Sequence, residues 1–243
     1  MKKILITLTL ITQMLFSASV TQVEDYLSLS NADEELIEME AQFSSMQSSF
    51  GEQDGNSSYD MQMLTIRFKE YIEKNFSEDE MNEVLEHYKN VLFLQFNSAI
   101  SITNYEENVT DTYIENLKNE PEGSLRIEIM DKLSKIFNKK ESVAIFFDNL
   151  MKPLISNSKG GDKLDDDYIN TRRTNYIESI IESSKKESLY ATRDFTIEEL
   201  EELLTFCDRP SIDKEVKIIF GAMAFSLKEF LLSMASRYDV SKH

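Results

Sequence analysis

Two short stretches of this chain carry the same device for starting a helix. Phe76-Ser77-Glu78-Asp79-Glu80-Met81 and Phe195-Thr196-Ile197-Glu198-Glu199-Leu200 are related by a shift of 119 residues, Ser77 falling on Thr196. In each, the hydroxyl residue suits an N-cap whose oxygen accepts from the amide three residues on. Glu80 or Glu199 reaches back to the N-cap amide, completing a capping box. Phe76 and Phe195 precede the caps, where each can pack on the N4 residue, Met81 or Leu200, as a hydrophobic staple. The following residues keep step: Val84, Leu85 and Tyr88 fall on Leu203, Leu204 and Cys207, and upstream Tyr71 falls on Tyr190. Two helices that start alike at this separation imply a duplicated helical unit.

A second match requires a shift of 107, which lays Ser30–Leu36 over Phe137–Val143, Tyr26 over Leu133, Leu29 over Ile136 and Met39 over Phe146. The shifts differ by 12 residues, and the linker Ser156–Asp167 is longer than its partner Gly51–Ser58. An insertion in that loop accounts for both shifts. With 6 Gly and 3 Pro in 243 residues, little interrupts helical structure. Apolar residues recur at helical spacing in Val216, Phe220, Met223, Leu227, Phe230, Leu231 and Met234, and in Ile169, Tyr176, Ile177, Ile180 and Ile181. The expected fold is all-α: a duplicated helical unit forming one helical bundle, with roughly four or five helices per copy. The units are 20–119 and 122–243, divided at Glu120-Pro121-Glu122-Gly123.

The second copy adds Leu203, Leu204, Phe206 and Arg209-Pro210-Ser211 to its starting motif. Together these resemble the signature of a bacterial domain-of-unknown-function family whose members are short, helical and exported in Gram-negative bacteria. Its pattern is Phe-Thr-Glu-Glu-Glu-Leu, an aromatic pair, Ser-Pro, and a Gly-x-Lys a little later. Cys207 stands for the second aromatic, Arg209 for the Ser and Ile212 for the Gly; the first copy has His87-Tyr88 as its pair and Val91 in place of Pro. The resemblance implies a helical fold and an envelope location, and it implies no activity.

Residues 1–19 have the layout of a secretory signal peptide. Lys2 and Lys3 precede the apolar stretch Ile4–Phe16, and Ser17-Ala18-Ser19 places small residues at −3 and −1 of a cut before Val20. The apolar stretch is short for a membrane span, and no Cys follows it to accept a lipid. No later segment approaches a run of about twenty apolar residues, so no membrane span is expected after cleavage, and the expected location is periplasmic. The formal charge is −18, from 26 bases against 44 acids, and it becomes more negative once Lys2 and Lys3 are removed. Nucleic acid requires a basic patch to displace its counterions, so nucleic-acid binding is excluded and a basic protein partner is favoured. The lone Cys207 allows no intramolecular disulfide and reads as a small buried apolar residue.

No catalytic signature is present. The two histidines are His87, inside a helix, and His243. HExxH, Walker, GxSxG and CxxC motifs are missing, and metalloprotease, nucleotide and thiol-redox chemistry with them. His87 occupies the place held by Phe206 in the second copy, which makes it a packing residue. Glu198-Glu199 and Glu201-Glu202 read as a solvated helix face. Asp162 and Asp165–Asp167 lack EF-hand spacing and its closing Glu, so they read as a linker entering a helix N-terminus. Met39, Met46, Met61, Met63 and Met81 offer soft Cu(I) ligands, but thioethers more commonly fill helical cores. No catalytic, cofactor or metal residue is therefore assigned. Asn56, Asn75 and Asn108 head Asn-x-Ser/Thr triplets, each with an acid two residues earlier: Asp54, Glu73 and Glu106. This extended form resembles the acceptor of bacterial periplasmic N-glycosylation. Asn56 lies in a Gly/Ser linker that accommodates a glycan, whereas Asn75 also suits a helix end.

The expected function is a non-enzymatic periplasmic module that binds a protein partner or holds an apolar ligand between the units. The alternatives are an envelope chaperone-like factor and a carboxylate-based hydrolase. A pocket with converging acids of raised pKa would favour the hydrolase, and an exposed apolar groove would favour binding.

Overall fold

The computed structural model describes residues 17–51, 60–103, 105–161 and 164–235. Among these residues the chain is all-α, and the one isolated bridge pairs Ser17 with Ser77. The first half contains α1 (Val20–Ser30), α2 (Ala32–Gly51), α3 (Gln62–Asn75), α4 (Glu78–His87), α5 (Val91–Ile102) and α6 (Glu107–Leu117). The second contains α7 (Gly123–Phe137), α8 (Lys140–Phe146), a π-helical turn (Phe147–Met151), α9 (Lys152–Asn157), α10 (Asp166–Ala191), α11 (Ile197–Cys207) and α12 (Pro210–Ala235).

Both capping boxes form. Glu80 N–H donates to Ser77 Oγ (3.3 Å) and Ser77 N–H to Glu80 Oε2 (2.9 Å). Glu199 N–H donates to Thr196 Oγ1 (3.2 Å) and Thr196 N–H to Glu199 Oε2 (2.7 Å). The staple residues Phe76, Met81 and Leu200 are buried and Phe195 is half-buried. The four orphan amides at each helix start are thereby partly satisfied, and the apolar staple sets the angle at which the chain enters.

A third capping box went unread in the sequence. Ser19 caps α1, with Gln22 N–H donating to Ser19 Oγ (3.2 Å) and Ser19 N–H to Gln22 Oε1 (2.8 Å). The Gln22 side-chain amide extends the box to the neighbouring helix, Nε2 donating to Asn82 Oδ1 (2.8 Å) and to the Glu78 carbonyl (3.1 Å). Ala18 is buried, and its N–H donates to the Phe76 carbonyl (2.9 Å). A cut before Val20 removes Ala18 and Ser19 with their hydrogen bonds and leaves a positive α-amino group at a helix N-terminus, against the helix dipole. A chain starting at Ser17 is therefore expected to be about 1–2 kcal/mol more stable than one starting at Val20, measurable as a difference in urea midpoint. Equal midpoints would show that Ala18 and Ser19 add nothing to the fold.

The halves interlock. Within the first half α1 packs on α4, and within the second α7 packs on α11. Helices then cross between the halves, α12 onto α3 and α4, and α5 onto α10 and α11. One core results, containing Tyr26, Leu27, Phe68, Met81 and Val84 together with Leu200, Leu203, Cys207 and Ile212. The proposed division at 120–122 is thus a turn between helices and does not separate two cores. Gly221 permits the close approach of α12 to α3, since a Cβ there would lie 2.4 Å from the Tyr71 hydroxyl.

α12 qualifies by length and composition as a candidate membrane span, with a mean hydropathy of 1.6, which the sequence reading did not register. Its residues Ile212, Ile218, Ala222, Leu227 and Phe230 are buried against other helices of the protein. A helix apolar on several sides belongs in such a core position. The π-helical turn just precedes Pro153, whose ring clashes with the carbonyl four residues back and which offers no N–H. The wider turn accommodates it, with Lys152 N–H donating to the Phe147 carbonyl.

Candidate functional site

Where α5 and α12 run past one another they leave a cavity of about 380 Å³. Phe93, Phe96, Asn97, Ile100 and Ser101 line it from α5, and Ile212, Glu215, Val216, Ile219 and Phe220 from α12. Met223 also lines it from α12, and the other five α12 positions are related to the five of α5 by the shift of 119. Leu36 and Met39 of α2, Phe68 of α3 and Phe137 of α7 complete the apolar wall. Burial grades along it: Tyr26, Tyr88, Phe93, Ile212 and Glu215 form a buried end, while Glu35 and Ser101 are exposed at the other. At that mouth Ser101 Oγ donates to Glu35 Oε1 (3.1 Å), and Asn138 Nδ2 donates to Ser184 Oγ (2.7 Å).

The buried end holds a polar cluster. Glu215, 6% exposed, accepts on Oε1 from the hydroxyls of Tyr88 (2.6 Å) and Tyr26 (3.1 Å). Burial holds both phenols well above their ordinary pKa, reinforced by the Glu215 charge and, for Tyr88, by Tyr26. At neutral pH they are therefore protonated donors. Behind them His87 Nε2 lies 3.0 Å from Ser211 Oγ. His87 Nδ1 lies 3.5 Å from Glu215 Oε2, close enough for a charge contact but too far for a hydrogen bond. The His87 ring meets Phe93 and Phe206 edge-on, at centroid distances of 6.3 and 5.8 Å. His87 thus takes the aromatic packing position expected of it and also acquires polar partners the sequence did not reveal.

Ser211, His87 and Glu215 stand in the order of a hydrolase triad. Ser211 and His87 are nevertheless buried and do not line the cavity, whose wall receives only the Glu215 end of the relay. A nucleophile must reach the substrate carbonyl, and this hydroxyl faces packed protein. Converging carboxylates are also missing: Glu215 and Glu35 occupy opposite ends of the cavity, and no cluster of three or more His, Cys, Asp or Glu residues capable of holding a metal occurs among the described residues.

Cys207 is fully buried, and burial, with Glu215 second, pushes its thiol up to about 12. A thiolate is the reactive form. Native protein at pH 8 is expected to leave a disulfide reagent unreacted over the time in which urea-unfolded protein reacts with one equivalent. Prompt reaction in the native state would place the thiol outside the core.

The remaining sequence candidates do not gather. Asp165 caps α10, accepting from Tyr168 N–H (2.8 Å), with Asp166 and Asp167 exposed in its first turn; Asp162 lies outside the described residues. Met81 belongs to the main core, whereas Met61, with Met39, Met223 and Met234 against it, belongs to a separate cluster around Phe230. Asn56 lies outside the described residues. Asn75 is exposed at the end of α3, its amide donating to the Tyr71 carbonyl (2.8 Å), and the Ser77 of its triplet is the α4 cap. Asn108 is exposed on α6, but its partner Thr110 is buried.

Glu215 was the residue that sequence reading missed. The available signal was its position: Ser211, Glu215, Ile218 and Ala222 follow helical spacing along the buried face of α12. A carboxylate at such a position needs partners, and two tyrosines supply them. In comparisons with known proteins, no family model matches the chain, and no curated protein or solved structure does.

Proposed function

We propose that the protein is a non-enzymatic, exported envelope module that holds an apolar ligand between its two related helical units. The observation that carries this reading is the cavity between α5 and α12, walled by aliphatic and aromatic residues and graded from a buried polar end to an exposed mouth. Its volume of about 380 Å³ lies within the ~300–1,000 Å³ typical of small-molecule sites. Met39 and Met223 in its wall are flexible side chains that can repack around different apolar shapes.

Duplication and divergence fit this reading. Under the two shifts, Tyr26, His87, Tyr88, Ser211 and Glu215 correspond to Leu133, Phe206, Cys207, Leu92 and Phe96. Every polar member of the cluster faces an apolar counterpart, so the cluster exists on one side only.

The test is titration with an environment-sensitive apolar dye, N-phenyl-1-naphthylamine. The unmodified protein is expected to bind one equivalent with a strong rise in emission. Ile219→Trp, which fills the cavity from α12, and Ser184→Trp, at its mouth, are each expected to weaken binding at least tenfold. Binding unchanged in both folded variants would remove the cavity from consideration.

A further inference from the structure

The groups lining the cavity restrict the head group of its ligand. Among the described lining residues two are acidic, Glu35 at the mouth and Glu215 at the buried end, and none is Lys or Arg. Glu215 Oε1 already accepts two phenol hydroxyls. Oε2 accepts no hydrogen bond from the described residues, having only His87 Nδ1 near it at 3.5 Å. The cavity thus ends in a carboxylate whose Oε2 accepts no hydrogen bond from the described residues, within a largely apolar wall. A buried charge in that position is strongly stabilised by an opposite charge that can also donate a hydrogen bond. A second carboxylate brought to the same place would meet like charge with no Lys or Arg in the lining to offset it, His87 Nδ1, 3.5 Å from Oε2, being the nearest basic group.

Taking the cavity as the binding site, we infer that its ligand is a single-chain amphiphile with a cationic, hydrogen-bond-donating head, an ammonium type, and that fatty-acid-like carboxylates are excluded. The ammonium sits against Glu215, and the chain follows Phe96, Ile219 and Met223 toward the mouth. Glu35 and the net charge of −18 draw the same cations to the mouth, a contribution that salt screens and that falls off with distance.

Isothermal titration of the full chain at neutral pH, with dodecylammonium, 1-dodecanol and dodecanoate each below its micellar concentration, tests the inference. The expected result is one-to-one binding, with dodecylammonium at least tenfold tighter than dodecanoate and dodecanol between them. Glu215→Gln is expected to bring that ratio below about threefold. Because this substitution also disturbs two buried tyrosines, Glu35→Gln serves as a second variant: with melting temperature unchanged, it is expected to narrow the ratio about twofold. Dodecanoate binding as tightly as dodecylammonium would overturn the head-group inference while leaving the cavity reading intact. A ratio unchanged in both variants would overturn it as well, assigning the preference to the general surface charge. One-to-one binding of none of the three would overturn the cavity reading itself.

Discussion

Glu215→Ala is expected to destabilise the protein by about 3–5 kcal/mol, the cost typical of breaking a buried charged arrangement by removing one partner. The substitution leaves the hydroxyls of Tyr26 and Tyr88 buried with no acceptor, since Glu215 Oε1 receives both. Each orphaned donor carries its own desolvation penalty of about 1–3 kcal/mol. For a chain of this size 1 kcal/mol corresponds to roughly 2–4 °C, so the melting temperature should fall by roughly 10 °C. The decisive comparison is the triple variant Tyr26→Phe, Tyr88→Phe, Glu215→Leu, which removes donors and acceptor together. Replacing a complete polar set by apolar groups of similar shape is often close to neutral, so the triple variant should recover most of the loss. If it is as unstable as Glu215→Ala, the destabilisation comes from lost packing volume rather than unpaired polarity. The triple variant would also retain the cavity while losing its polar end, which separates the structural part of Glu215 from its part in ligand selection.

The second large effect is expected at Phe93. Its ring packs against Tyr88 at 5.4 Å and Phe206 at 5.3 Å, joining the first half to the second at the place where α5 crosses over. It is also part of the cavity wall. Phe93→Ala removes a buried aromatic whose surroundings are held by helices from both halves, and the cost of such a change is about 3–5 kcal/mol. Val91→Ala, two residues earlier on the same helix but 68% exposed, should stay within about 0.5 kcal/mol of the parent protein. Chemical denaturation of both variants provides the measurement. If Phe93→Ala cost no more than Val91→Ala, the two halves would not depend on this contact. A transition that split into two would mean that the halves unfold separately once the contact is gone.

The legible parts of this protein were those governed by neighbours in sequence. A capping box joins residues three apart, so Ser77 with Glu80 and Thr196 with Glu199 could be read directly, and the staples with them. Helical spacing marked an apolar stripe on α12 of which Leu227 and Phe230 are buried, while Val216, Phe220, Met223, Leu231 and Met234 are half-buried beside the face that Ile212, Ile218 and Ala222 bury. The same logic held a third box, Ser19 with Gln22, hidden among residues that otherwise matched a signal-peptide cut. His87 was legible as far as its packing position, through its alignment with Phe206.

Tertiary structure alone decided the site. Glu215 and Tyr26 are 189 residues apart, and Glu215 and Tyr88 are 127 apart. No local rule connects such positions, because their meeting depends on how the closing helices of each half cross onto the other. That exchange also determined that the halves share one core, which places α5 and α12 side by side and leaves space between them. The sequence alone determined a helical chain, through contacts a few residues long. Where the halves meet, and which unpaired polar groups their meeting buries, follows from packing across the whole chain.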